Sequence, residues 1–290
     1  MKKNIIKVIL AVCLIFSTFS CYRNDSHKKS ADRKTVIIAS FNTLRLDEKE
    51  KDYRTLARII SKYDLTGLQE VMNEKGLKKL KGHLEKLTKE KWEYIISEKP
   101  TGTENYREYY GYIYRKSLFS EVYPLGFYKE KNENEFMREP YGAYFKIGNF
   151  DFVYILAHSI FGDSERQRLI EGAGYINVYE YFIKESKEED VILAGDFNLP
   201  ANSPVFRNMN LKYNIEFLID PLENPTTISD NKLANSYDNF FLNKEKTKEF
   251  NGNCGVYNFI KENNYKDIRK YISDHLPIYS EYDIADYDDD

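Results

Sequence analysis

Val191-Ile192-Leu193-Ala194-Gly195-Asp196-Phe197-Asn198 is a short apolar run that closes on a carboxylate and an amide. A continuous run of this length predicts a strand covered on both faces rather than a surface helix. Two further segments have the same character. Phe152 to Ala157 is apolar and closes on His158, while Ser273-Asp274-His275-Leu276-Pro277 opens the strand-like stretch Leu276 to Tyr282. Polar residues at the termini of buried strands are expected to meet at one end of a sheet. Two imidazoles, an Asp-x-Asn pair and an Asp-His pair brought together there would make a hydrolytic, metal-assisted site.

Outward from these strands the chain alternates strand-like and helix-like segments. Thr35 to Phe41 reads as a strand ending at Asn42, and Thr66 to Val71 as another that carries Glu70. Leu56, Ile59, Ile60 and Tyr63, then Leu77, Leu80, Leu84 and Leu87, recur at helical spacing. Further strands are expected at 94–97, 110–114, 141–147 and 236–242. A helix from about Ser164 to Lys184 carries Leu169, Ile170, Ala173, Ile176, Val178 and Phe182. Residues 36–284 hold no internal repeat and no Gly/Ser-rich linker, so one α/β domain with mixed sheets fits best. A hydrophobic share of 42% against 31% charged residues is that of a soluble globular chain.

The ends differ from this body. Lys2, Lys3 and Lys7 flank an apolar stretch from Ile5 to Phe19, shorter than the roughly twenty residues that span a bilayer. Residues 1–20 therefore read as an export signal. Cys21 directly follows the small residue Ser20 in the manner of a bacterial lipoprotein cleavage site, with Phe19 where a smaller residue is usual, and lipidation of Cys21 would anchor the protein to a membrane. Residues 21–35 are polar enough for a flexible tether, and residues 285–290 form an acidic tail. The expected location is extracellular or at the cell surface of a bacterium.

The net charge is −3, and loss of the signal lysines makes the mature chain more acidic still. Such a chain does not coat nucleic acid indiscriminately, because neutralising phosphates needs a basic face. A polyanionic substrate would have to be held by a local basic patch together with metal ions. Cys13 lies in the signal and Cys21 at its end, so Cys254 is the one cysteine of the body, which excludes a disulfide framework within it.

Asn42, Glu70, Asp196, Asn198 and Asp274 supply five oxygen donors at strand ends. This is the ligand chemistry of a hard divalent cation, Mg2+ first, with Ca2+ or Mn2+ as alternatives. Of the four histidines, His27 lies in the tether and His83 on the polar flank of a helix. His158 and His275, each beside acids, suit acid–base work.

These segments, with Ser97-Glu98-Lys99-Pro100, Asn105-Tyr106-Arg107-Glu108-Tyr109-Tyr110, Arg138-Glu139-Pro140 and Tyr237-Asp238, occur in an order that resembles deoxyribonuclease I and its relatives. The resemblance covers nearly all of residues 36–284. It implies an endonuclease/exonuclease/phosphatase catalytic domain, a four-layer sandwich of two packed mixed β-sheets flanked by helices. It further implies that His158 protonates the leaving 3′ oxygen with Glu108 as its partner, and that His275 is oriented by Asp238. Asn42, Glu70 and Asp274 would form the metal site, while Asp196 and Asn198 would position water and the scissile phosphate. Arg138, Tyr106, Thr226 and Thr227 would contact substrate. Two departures stand out. Met72 replaces the family's minor-groove arginine, and Ala201 and Asn235 stand where secreted animal relatives carry a disulfide.

The expectation is a monomeric, metal-dependent endonuclease that cuts DNA with little sequence preference. An exported sphingomyelinase-type phosphodiesterase of the same superfamily is the alternative, and a non-catalytic adhesin a more distant one.

Overall fold

A computed structural model describes residues 33–285 apart from 133, 262 and 263. The segment expected to be an export signal, Cys21, most of the expected tether and nearly all of the acidic tail lie outside the described residues. In chain order, β1 (Thr35–Leu46) leads through α1 (Tyr53–Ile60) to β2 (Leu65–Val71). After α2 (Glu74–Thr88) come β3 (Trp92–Ile96), β4 (Thr101–Thr103) and β5 (Tyr106–Arg115). The meander β6 (Glu121–Phe127), β7 (Tyr141–Ile147) and β8 (Phe150–His158) is followed by α3 (Glu165–Ser186), which crosses over to β9 (Val191–Asp196). A 3-10 turn at Pro204–Phe206 and α4 (Arg207–Tyr213) precede β10 (Ile215–Phe217), β11 (Asp238–Asn243) and β12 (Phe250–Val256). Finally α5 (Tyr265–Tyr271) leads to β13 (Ile278–Asp283).

The strands sort into two sheets. One runs β12-β13-β1-β2-β5-β3, with β4 paired to β5; the other runs β10-β11-β9-β8-β7-β6. Among the described strands only β1–β2 and β8–β9 pair in parallel, and each pair is joined through a helix, the usual connection for parallel neighbours. The inner faces of both sheets share one core that includes Val36, Ile38, Tyr112, Phe145, Tyr154, Leu156 and Ile192. On the outer face of the first sheet, α1 and α2 pack through Leu56, Ile60, Leu77, Leu80 and Leu84. On the second, α3 packs through Tyr175, Val178, Tyr179 and Phe182. The result is the four-layer α/β sandwich the sequence implied.

Close approach of the sheets depends on Gly67. A Cβ there would lie 2.2 Å from Leu156 Cδ2 and 2.8 Å from the Tyr154 hydroxyl. That hydroxyl instead crosses the interface to donate to Ala39 O at 2.7 Å. The α3 helix departs from its expected apolar stripe. Ile170 and Ala173 are exposed, and Glu171 is buried because its carboxylate accepts the backbone N–H groups of Met137 and Ile160. Leu87 is likewise exposed at the end of α2.

Candidate active site

Strand direction decides which residues can meet. β1, β2, β8 and β9 present their carboxyl ends at one end of the sandwich, and β5, β11 and β13, antiparallel to these neighbours, present their amino ends there. Glu70, Glu108, His158, Asp196, Asp238 and the loop holding Ser273 to His275 therefore share that end with Asn42. The register is specific: Asp196 is the lateral partner of both His158 and Asp238. Gly195 makes this possible. Its φ is +149°, and a Cβ would lie 1.9 Å from Ala157 O, so any side chain would push β8 off β9 beside His158 and Asp196.

Two histidine–carboxylate pairs face one another across Asp196. His158 Nδ1 lies 2.7 Å from Glu108 Oε1, and His275 Nδ1 lies 2.8 Å from Asp238 Oδ2. The opposite ring nitrogens point the same way: His158 Nε2 is 3.6 Å and His275 Nε2 3.5 Å from Asp196 Oδ2. Both rings are buried. Burial alone would lower the His158 pKa, but Glu108 and Asp196 outweigh it and raise it above the usual imidazole value. For His275 burial is likewise outweighed by Asp238 and Asp196, and its pKa stands well above the usual value. Burial would raise Glu108, yet the His158 imidazolium and Arg138 hold it below the ordinary carboxylate range. Asp196 moves the other way, raised chiefly by burial.

Each of these groups is in turn held. Asn198 N–H donates to Asp196 Oδ1 at 3.0 Å, and Asn198 Nδ2 donates to Ser159 O at 2.8 Å. The Tyr110 hydroxyl accepts the His158 backbone N–H at 3.1 Å. Ser273 ties the His275 loop to β1 by donating to Asn42 O at 2.6 Å while accepting the His275 N–H at 3.0 Å. Glu70 and Asn198 both have positive φ (56° and 49°), a cost of order 1–3 kcal/mol each that clusters here at the cleft.

The expected metal ligands also gather. Asn42 Nδ2 donates to Glu70 Oε1 at 3.1 Å and to Asp196 Oδ2 at 3.3 Å. Glu70 Oε2 accepts from Tyr106 OH at 2.6 Å and from Arg45 N–H at 3.1 Å. Lys51 lies within the electrostatic reach of both Asp274 and Glu70; burial brings its pKa down to about 8. The buried Asp274 Oδ1 has no hydrogen-bond partner among the described residues. An orphaned carboxylate oxygen in a site where Asp274 and Glu70 both act on Lys51 fits a hard cation, although Asn42 Oδ1 as placed accepts the Leu44 N–H at 3.0 Å. One atom each of Asp196, Asp238 and His275 also lie within 4.8 Å of one another. The His275–Asp238 hydrogen bond brings two of these three together, and the trio is a second place where the described residues could hold an ion.

The residues expected to touch substrate are placed less simply. Arg138 is buried, with Nε 3.0 Å from Glu108 Oε2, so its charge serves the His158 pair directly. Tyr106 lies between two guanidinium groups, with Arg45 at 5.0 Å and Arg138 at 5.3 Å from the ring centre. Thr226 is fully buried and donates its hydroxyl to Asp238 Oδ2 at 2.6 Å. As placed it orients the His275 partner instead of reaching a phosphate. Thr227 accepts Asn235 N–H at 2.8 Å and bridges to His275. Lys51 was not legible as a site residue, because its neighbours in sequence carry no motif; Tyr110 and Ser159 lie beside quoted segments, but nothing in the sequence showed that their hydroxyl and carbonyl would hold the site.

Comparison with known proteins agrees with this geometry. The model of the Endonuclease/Exonuclease/phosphatase family matches residues 39–275. A deoxyribonuclease of Thioalkalivibrio sp. (strain K90mix) is 30% identical over 267 residues, covering 86% of this chain and 72% of that protein. Deoxyribonuclease-1-like 1 of Sus scrofa is 28% identical over 258 residues, 83% of this chain and 79% of that protein. Among solved structures, an endonuclease/exonuclease/phosphatase from Bacteroides vulgatus superposes with a TM-score of 0.58 at 14% identity, covering 86% of this chain and 98% of that one.

Proposed function

Because the chain belongs to the endonuclease/exonuclease/phosphatase family, with deoxyribonucleases among its relatives, we propose that it is a divalent-metal-dependent endodeoxyribonuclease with little sequence preference. The observation that carries this reading is the pair of carboxylate-clamped histidines whose Nε2 atoms both face Asp196 Oδ2.

A phosphodiester resists hydrolysis because its negative charge repels the incoming oxygen and its leaving alkoxide is a poor leaving group. The histidines address both problems. With its Nδ1–H held by Glu108, His158 presents a protonated Nε2 that protonates the departing 3′ oxygen. His275, charged through Asp238, stabilises negative charge building on the phosphoryl oxygens. Asp196, whose proton affinity is raised by burial, orients the attacking water and accepts its proton. The second amide hydrogen of Asn198 is left to meet the phosphate, while Arg138 acts through Glu108. Asn42, Glu70 and Asp274 would hold Mg2+, which when bound neutralises charge on the phosphate.

Export fits this reading, since residues 1–20 have signal character and Cys21 that of a lipid anchor. The enzyme would then act outside the cell or at its surface. The test is a plasmid-cleavage assay with Mg2+: His158→Ala and His275→Ala should each lower the rate by roughly 10²-fold or more. Either variant cutting at the wild-type rate removes that histidine from the mechanism. Hydrolysis of sphingomyelin vesicles with no cleavage of DNA would replace the substrate.

A further inference from the structure

Beside the catalytic end lies a groove of about 320 Å³ that shares Asn198 with the site and is walled by Arg168, Glu165, Leu222 and Tyr237. Two large apolar side chains stand out near it. Leu222 is 79% exposed and Phe161, three residues beyond His158, is 62% exposed. Phe161 is not a loose hydrophobe. The Arg168 guanidinium sits 5.3 Å from its ring centre, and Arg168 Nη1 donates to Phe161 O at 2.8 Å. The same loop is tied to the body where Ile160 N–H donates to the buried Glu171 carboxylate. The chain thus presents a braced ring-and-guanidinium surface beside a groove that reaches Asn198.

The geometry points to a stacking subsite for one unpaired nucleobase flanking the scissile phosphate, made by Phe161 with Arg168 and bounded by Leu222. This inference rests on the nuclease reading above and gives it a preference: single-stranded, frayed or gapped DNA over intact duplex. Aromatic rings and guanidinium planes both stack on bases, whatever the base identity. The groove carries Glu165 as well as Arg168, three residues apart on α3, so it suits a neutral base better than a second phosphate. A paired base could not use it, because its faces are already covered by its neighbours in the duplex. Insertion into a lipid surface is disfavoured, since Phe161 would carry the Arg168 guanidinium into the apolar layer.

The experiment is a double-mutant cycle between side chain and base. Single-stranded oligonucleotides with one abasic residue scanned around the cut are digested by the wild type, Phe161→Ala and Phe161→Trp, alongside duplex of the same sequence. The wild type should slow about tenfold when the abasic residue falls at one flanking position. Phe161→Ala should be about tenfold slower on the intact strand and indifferent to base loss there, with a smaller effect on duplex. Phe161→Trp should restore both the rate and the abasic sensitivity. Undiminished abasic sensitivity in Phe161→Ala, or equal losses on single strand and duplex, overturns the subsite while leaving the nuclease intact. A wild type that cuts no DNA in any form refutes the nuclease reading and the subsite with it. Loss by Phe161→Ala of binding to sphingomyelin–phosphatidylcholine vesicles that the wild type binds makes the surface a membrane contact and also overturns it.

Discussion

Glu108 is the residue on which the protonation state of the site turns. It is fully buried, yet it stays ionised because His158 and Arg138 both lie against it, with His158 Nδ1 at 2.7 Å and Arg138 Nε at 3.0 Å. In exchange, Glu108 keeps His158 protonated in surroundings that would otherwise strip the proton from it. In Glu108→Gln that attraction is gone while the burial remains, so the His158 pKa falls. If His158 is the general acid, the alkaline limb of kcat against pH must move to lower pH. An unmoved alkaline limb in the variant separates His158 from the acid role. Stability follows the same linkage. The raised His158 pKa contributes stability that is complete below about 6.5 and is lost as pH rises through its folded value. The depressed Glu108 pKa contributes stability that is complete above about 4.3 and is lost as pH falls through its folded value. The difference in unfolding free energy between wild type and Glu108→Gln should therefore be greatest near mildly acidic to neutral pH and shrink on either side. The histidines, Asp196 and Asp274 were legible as single residues because each ends or begins a short apolar run. Glu108 was legible only through its resemblance to a family segment, since Tyr106-Arg107-Glu108-Tyr109 has the look of a polar loop.

Among the elements, β5 shows why. The sequence suggested a strand from Tyr110, but β5 begins at Tyr106, and pairing with β4 and β2 carries Glu108 inside. Tertiary pairing, which no local pattern records, made that difference. β12 escaped for the same reason: Phe250-Asn251-Gly252-Asn253-Cys254-Gly255-Val256 has poor strand propensity and is recruited by β13. β6 contains Pro124, which argues against a central strand; it lies at the edge of its sheet, with its register interrupted between Pro124 and Gly126. By contrast β8 and β9 were plain, because strands buried on both faces must be apolar throughout, and β13 showed itself by alternation of buried and half-buried residues. The β8–β9 pair also carries a sharp prediction. Gly195→Ala forces a Cβ against the Ala157 carbonyl, a backbone atom that cannot swing aside, at a φ unfavourable to alanine. The expected cost is about 3 kcal/mol or more in urea unfolding. Activity should fall further than the folded fraction explains, because the displaced strand separates His158 from Asp196. A folded Gly195→Ala enzyme with wild-type kcat would mean that this register does not set the catalytic geometry.

For the molecule as a whole, charge and architecture pull in different directions. The chain is acidic overall, with 46 Asp and Glu against 43 Lys and Arg, while its proposed substrate is a polyanion. A nuclease that gripped DNA through a broad basic face would release many counterions and lose activity steeply with salt. Here the sandwich gathers its catalytic groups at one end, and the cationic groups there are few. Arg138 and Lys51 are drawn toward carboxylates of the site itself, and Arg45 is paired with Glu48. Binding should then depend on a cation shared between phosphate and protein more than on a surface field. The slope of log kcat/KM against log salt at saturating Mg2+ should be shallower than about −3, matching roughly three phosphates or fewer neutralised at about 0.9 per contact. Chelation with EDTA should abolish cleavage at every salt concentration, and restored Mg2+ should return the shallow slope. A slope near −10 would instead reveal an extended basic track for DNA, which the acidic balance and the carboxylate-paired arginines of the catalytic end speak against.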